Sequence, residues 1–177
     1  MKQARTTLAR WSLVLAFVAF GLNAQPLAQA ANSAAPQDGV LVVAGDVSKP
    51  LTLTPADLKA MPRTTVTVAD QGRDVKYTGV LIGELLARAG APLGRDISGP
   101  AVSTYVLASA MDGYQALFSL AELDPAFTPN DIIVADTVDG QPLFDYQGPF
   151  RIVAPKDKRG ARGVRMLQKL DVVRLKK

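Results

Sequence analysis

The clearest helix this sequence can form is ten residues long. From Val80 to Ala89, the side chains of Leu81, Ile82, Leu85, Leu86 and Ala89 fall on one helical face, and Gly90 supplies a C-cap. The other apolar segments are shorter. Val40–Ala44 and Asp131–Ala135 read as buried strands, and Leu51 and Leu53 alternate with Thr52 as a third. Thr64–Ala69 alternates β-branched residues, Ser103–Ser109 is strand-like, and Phe150–Ala154 is a strand ended by Pro155. Asp112-Gly113 is a tight-turn signal leading into Tyr114–Phe118, and Asp139-Gly140 makes a second hairpin turn. Thr54-Pro55-Ala56-Asp57 predicts a short helix with Thr54 as N-cap, closed by Pro62. Ser119-Leu-Ala-Glu122 is a capping box opening another. Gly163–Lys169 is predicted as one or two helical turns, and Leu170–Leu175 as a closing strand. Short strands mixed with short helices, without βαβ alternation or an internal repeat, predict one α+β domain with mixed sheets over residues 39–177.

The N-terminus has the three-part grammar of a cleaved export signal. Lys2, Arg5 and Arg10 give a positive start, Trp11–Leu22 is apolar, and Ala28-Gln29-Ala30 is a small-x-small site. Twelve apolar residues fall short of the roughly 20 that span a bilayer. Residues 1–30 are therefore expected to be a signal peptide, 31–38 a disordered leader, and the address the bacterial periplasm, with no membrane span after cleavage. The remaining 147 residues are enough for one domain with a real core. Three cationic side chains leave with the signal, which reduces the net charge from +4 to +1. What remains is uneven: Lys156–Lys177 carries a local +7, and residues 31–155 carry −6. In a cytoplasmic protein such a basic segment would suggest nucleic acid, but export argues against that partner. It leaves a solvated face, an anionic small ligand or an acidic partner surface.

The chain has neither histidine nor cysteine. That removes Ser-His-Asp and Cys-His catalysis, together with histidine- or thiolate-ligated zinc, copper and iron–sulfur sites. It also removes a lipid-anchored lipoprotein. No S-x-x-K and no G-x-S-x-G occurs. Asp136 and Asp139 flank a turn, as do Asp124 and Asp131, a pattern open to turn chemistry or to calcium. Gly160-Ala-Arg162-Gly163 with Arg165 reads either as a flexible basic loop or as an anion cradle, with glycines for close approach and guanidinium forks for phosphate or carboxylate.

An ordered set of motifs goes further. These are Leu53-Thr-Pro-Ala-Asp57-Leu58, Tyr77-Thr-Gly79-Val-Leu-Ile-Gly-Glu-Leu-Leu86, Ser109-Ala-Met-Asp112-Gly113-Tyr114, Asp131-Ile-Ile-Val-Ala135, Asp139-Gly-Gln-Pro-Leu143, Gly148-Pro-Phe-Arg151 and Gly163-Val-Arg165. In this order and spacing the chain resembles the molybdopterin-binding domain of the sulfite-oxidase family over about residues 40–175. The family's enzymes hold molybdenum through a cysteine that follows a strand and precedes the Y/W-x-G segment. Here that region, Thr64–Gln71, has none. The resemblance narrows to a small, exported, cysteine-less subgroup that binds free pterins and reports them to membrane enzymes of cyclic diguanylate metabolism.

By position, the family's cofactor-holding basic residues correspond to Arg151, Arg162 and Arg165. A pterin also needs stacking partners and a carboxylate for its amino and ring N–H groups, roles open to Asp112, Tyr114 and Tyr146, with Ser109 a further candidate. Each tyrosine can equally be a core residue with its hydroxyl at the rim, and Asp112 can be the turn residue of Asp-Gly. Three expectations follow. One is a non-catalytic periplasmic pterin-binding protein that relays a free pterin to the periplasmic part of a membrane signalling protein, with no covalent or metal cofactor. The second is a molybdopterin-dependent oxidoreductase or its degenerate subunit, and the third a ligand-free interaction module.

Overall fold

The computed structural model describes residues 39–70 and 72–175. The expected signal peptide (1–30) and leader (31–38) lie outside the described residues. Among those described, no helix is long and apolar enough to cross a membrane.

Two five-stranded sheets carry the fold. The first is built from β1 (Leu41–Gly45), β2 (Leu51–Leu53), β5 (Thr104–Ala110), β6 (Gln115–Ser119) and β10 (Leu167–Arg174), in the order β2-β1-β10-β5-β6. The last strand therefore lies at the centre, parallel to β1 and antiparallel to β5. The second sheet runs β3 (Thr64–Asp70), β4 (Arg73–Leu81), β7 (Ile133–Val138) and β8 (Gln141–Pro142), and β9 (Arg151–Val153) also pairs with β7. Among the described residues there are two α-helices, α1 (Pro55–Lys59) and α2 (Ile82–Ala89). The architecture is α+β with mixed sheets and short helices.

The period-two alternation of the strands separates two apolar clusters. Val80, Val134 and Ile152 of the second sheet join Leu41, Val43, Val106, Phe118 and Leu170 of the first, with Leu85 and Leu86 of α2, in the main core. The opposite face of the second sheet carries a smaller cluster of Val66, Val75, Tyr77, Ile133, Ala135, Leu143 and Val153. Because Ile152 points into the main core, its neighbour Arg151 faces the other way, toward Tyr77.

Several local expectations match, and others are corrected. Thr54 caps α1 in a reciprocal box with Asp57, and Gly90 is the left-handed C-cap of α2. Val80 and Leu81 belong to β4, not to the helix, which starts at Ile82 without a side-chain cap. The capping box at Ser119 and Glu122 forms, but it opens a 3₁₀ turn at Ala121–Leu123. The helical turns expected over Gly163–Lys169 are absent. A 3₁₀ turn occupies Gly160–Arg162, and β10 begins at Leu167. The three-residue spacing of buried Val164 and Leu167 imitates a helix, whereas Met166 adopts φ of 47° and turns the chain into the strand.

Candidate functional site

The hairpin end of β3 and β4, strand β9, the β5–β6 turn and the loop before β10 together enclose a cavity of about 410 Å³. Its lining includes Asp70, Tyr77, Asp112, Tyr114, Arg151 and Arg165, with backbone and side chains from Asp157 to Ala161 and Gly163.

Arg151 is the half-buried cation of this cavity. Its Nη1 donates to the Tyr77 hydroxyl at 3.0 Å and to Gln147 Oε1 at 2.7 Å, and its guanidinium lies 4.7 Å from the centre of the Tyr77 ring. Its Nε is buried without a partner among the described residues. Burial draws the Arg151 pKa below the usual arginine range; Tyr77 opposes this and Arg165 adds to it. A buried, unpaired donor is costly, so the site calls for an acceptor at that point.

Arg165 is exposed, lines the cavity, and stacks its guanidinium 5.2 Å from the centre of the Tyr146 ring. Tyr146 itself is exposed, sits edge-on to Phe144, and is not among the lining residues; it adjoins the site through Arg165. Asp112 is the turn residue and also reaches the cavity. Its Oδ1 accepts the Tyr114 N–H at 2.9 Å, closing the turn, and the residue also lines the cavity. Tyr114 lines the cavity too, and its hydroxyl donates to the Ala161 carbonyl at 2.5 Å.

Two further sequence candidates, besides Tyr146, stand outside the lining. Ser109 Oγ accepts a hydrogen bond from Gln115 Nε2 at 3.0 Å on the β5–β6 ladder. Arg162 turns away to Asp157 and Glu122. Those hydrogen bonds, the one to Asp157 foremost, outweigh partial burial and raise its pKa well above the usual arginine value.

Asp70, Tyr77, Lys158 and Arg159 line the cavity without having been singled out from the sequence. Tyr77 was legible within the Tyr-x-Gly motif; Asp70 needed the β3–β4 hairpin, which carries the end of β3 to the cavity. The Asp136 and Asp124 carboxylates resolve as structural groups. Asp136 is buried and paired bidentately with Arg63, at 2.9 and 2.5 Å, and Asp124 accepts the backbone N–H groups of Gly94 and Ala126. Asp139 sits in the hairpin turn with φ of 47° and accepts the Lys76 N–H.

A family model described as the oxidoreductase molybdopterin binding domain matches residues 28–177. The chain belongs to this family. The fold is similar to that of a chain in the crystal structure of the sulfane dehydrogenase SoxCD from Paracoccus pantotrophus, with a TM-score of 0.61 and 25% identity. That match covers 77% of this chain and 38% of the SoxCD chain, so the domain spans well under half of that protein's length. No significant match was found among curated proteins.

The cofactor that the family implies can be tested against these residues in two parts. The organic part fits. An orphaned guanidinium donor, two carboxylates at Asp70 and Asp112, and the cations Arg165, Lys158 and Arg159 complement a flat heterocycle carrying amino, ring N–H and carbonyl groups. The protein ligand to the metal does not fit. The chain has no cysteine, the Thr64–Gln71 region brings Asp70 and no thiolate to the cavity, and among the described residues no three acidic, His or Cys side chains form a metal-binding group.

Proposed function

We propose that this domain is an exported pterin-binding protein that works without turnover and carries a free pterin to the periplasmic part of a membrane enzyme of cyclic diguanylate metabolism. The observation that carries the reading is a basic, tyrosine-lined cavity in a molybdopterin-binding fold whose chain has no thiolate to hold the metal. Asp70 or Asp112 accepts the pterin amino and ring N–H donors. Arg151 Nε supplies a donor for a ring nitrogen or the carbonyl, and Arg165 covers a ring face. The exposed Lys158 and Arg159 at the same cavity attract an anionic substituent or an acidic partner surface.

Titration with 6-hydroxymethylpterin, followed by ligand fluorescence, tests this reading. Saturable binding is expected, with Arg151→Met and Arg165→Ala each weakening it about tenfold or more, in line with loss of one charge-assisted contact. Absence of binding, or equal affinity in both variants, contradicts the reading.

Family membership favours a second reading, a molybdopterin-dependent oxidoreductase or its degenerate subunit with the metal held without a protein thiolate. Molybdenum content separates the two.

A further inference from the structure

The loop that closes one side of the cavity is pinned by a residue that does not line it. Arg162 forks Nε and Nη2 onto the two carboxylate oxygens of Asp157, at 2.9 and 2.7 Å, and sends Nη1 to Glu122 Oε2 at 2.9 Å. Its guanidinium also rests 4.8 Å from the centre of the buried Phe118 ring. Glu122 is itself fixed, because its other oxygen accepts the Ser119 N–H at 2.8 Å. The clamp thus ties the segment 157–162 to the end of β6. A second pin comes from the Tyr114 hydroxyl on the Ala161 carbonyl. Between the pins, Lys158, Arg159 and Gly160 are exposed, and all three line the cavity. A short, exposed, glycine-bearing segment with little apolar burial belongs to the low-stability end of a fold unless side chains hold it.

We propose that Arg162 is a positioning residue: through Asp157 and Glu122 it fixes the 157–163 loop in the conformation that completes the cavity, without itself touching the ligand. The clamp follows from the geometry, and its service to a pterin rests on the function proposed above. Lysine keeps the charge but cannot reproduce a planar fork onto two carboxylates. Glu122 is not among the cavity-lining residues, so its removal deletes no cavity contact; it releases the clamp and the Ser119 N–H of its capping box.

Hydrogen exchange of the full exported protein, paired with stopped-flow dissociation of 6-hydroxymethylpterin, tests the clamp in Arg162→Lys and Glu122→Ala. Both variants should speed amide exchange over 158–163 about three- to tenfold, the range set by a part-buried ion pair, and speed pterin dissociation by a similar factor. Arg165→Ala should weaken pterin binding while leaving exchange of that loop unchanged. Unchanged exchange in both clamp variants overturns the proposal. So does weaker binding in Arg162→Lys with normal exchange, which would make Arg162 a direct ligand contact. If the wild-type protein binds no pterin, the proposed function fails and exchange alone decides the clamp: faster in both variants upholds it, unchanged in both refutes it.

Discussion

At the scale of single residues, Arg151 shows how packing prepares a site. One face of its guanidinium lies on Tyr77, one amino group is shared between Tyr77 and Gln147, and Nε has no partner among the described residues. Arg151→Lys is therefore not conservative: an ammonium cannot stack and fork at once, and pterin affinity should fall about tenfold. The Arg63–Asp136 pair carries stability instead. Asp136 is 5% exposed, and Asp136→Asn should cost about 2–3 kcal/mol in urea denaturation, at or below the lower end for a broken buried pair because Arg63 is partly solvated. Asp57 gives a pH signature. Its hydrogen bonds from the Thr54 hydroxyl and backbone hold its pKa below the ordinary 3.8. A depressed carboxylate pKa contributes stability above the unfolded value, and that contribution is lost as pH falls through the folded value. Thr54→Ala should thus lower Tm at pH 7, with a gap to wild type that narrows once pH drops below about 4. A gap independent of pH would contradict the capping-box account.

At the scale of elements, β4 was the least legible part of the sequence. Val75, Tyr77 and Leu81 face the small cluster and Val80 the main core in unbroken alternation, while the register shift opposite Thr78 and Gly79 falls on β7, where Asp136 is the extra residue. The strand runs straight into α2 with no side-chain cap to mark the boundary. Gly79 has a direct reason to be glycine: a Cβ there would overlap the Val134 carbonyl on β7. Gly79→Ala should destabilise the fold by more than about 3 kcal/mol, visible as a large drop in the urea midpoint, because backbone on both strands must move. By contrast, the turns at Asp112-Gly113 and Asp139-Gly140, the α1 cap and the Gly90 cap were legible, because each depends on side chains or glycines within a few residues. The strand order was not legible. Placing β10 between β1 and β5 depends on contacts across the whole chain.

At the scale of the whole molecule, the same distinction governs the site. The sequence pointed to Arg151, Arg165, Asp112 and Tyr114, which the fold gathers at one cavity from β9, the loop before β10 and the β5–β6 turn. It could not tell that Arg162, two residues before Val164, would be drawn off to Asp157 and to Glu122, forty residues earlier. Nor could it show Asp70 reaching the cavity at the end of β3. The proposed function rests on the idea that a fold with this cavity and without the thiolate can bind a pterin apart from redox turnover. The most direct measurement is the ligand and metal content of the protein expressed as the full 177-residue chain in a bacterium. The purified protein is denatured, its supernatant examined by fluorescence and mass spectrometry, and molybdenum determined by elemental analysis. A pterin at near-stoichiometric level without molybdenum is the expected result. Molybdenum at near-stoichiometric level would contradict it and make the domain an oxidoreductase.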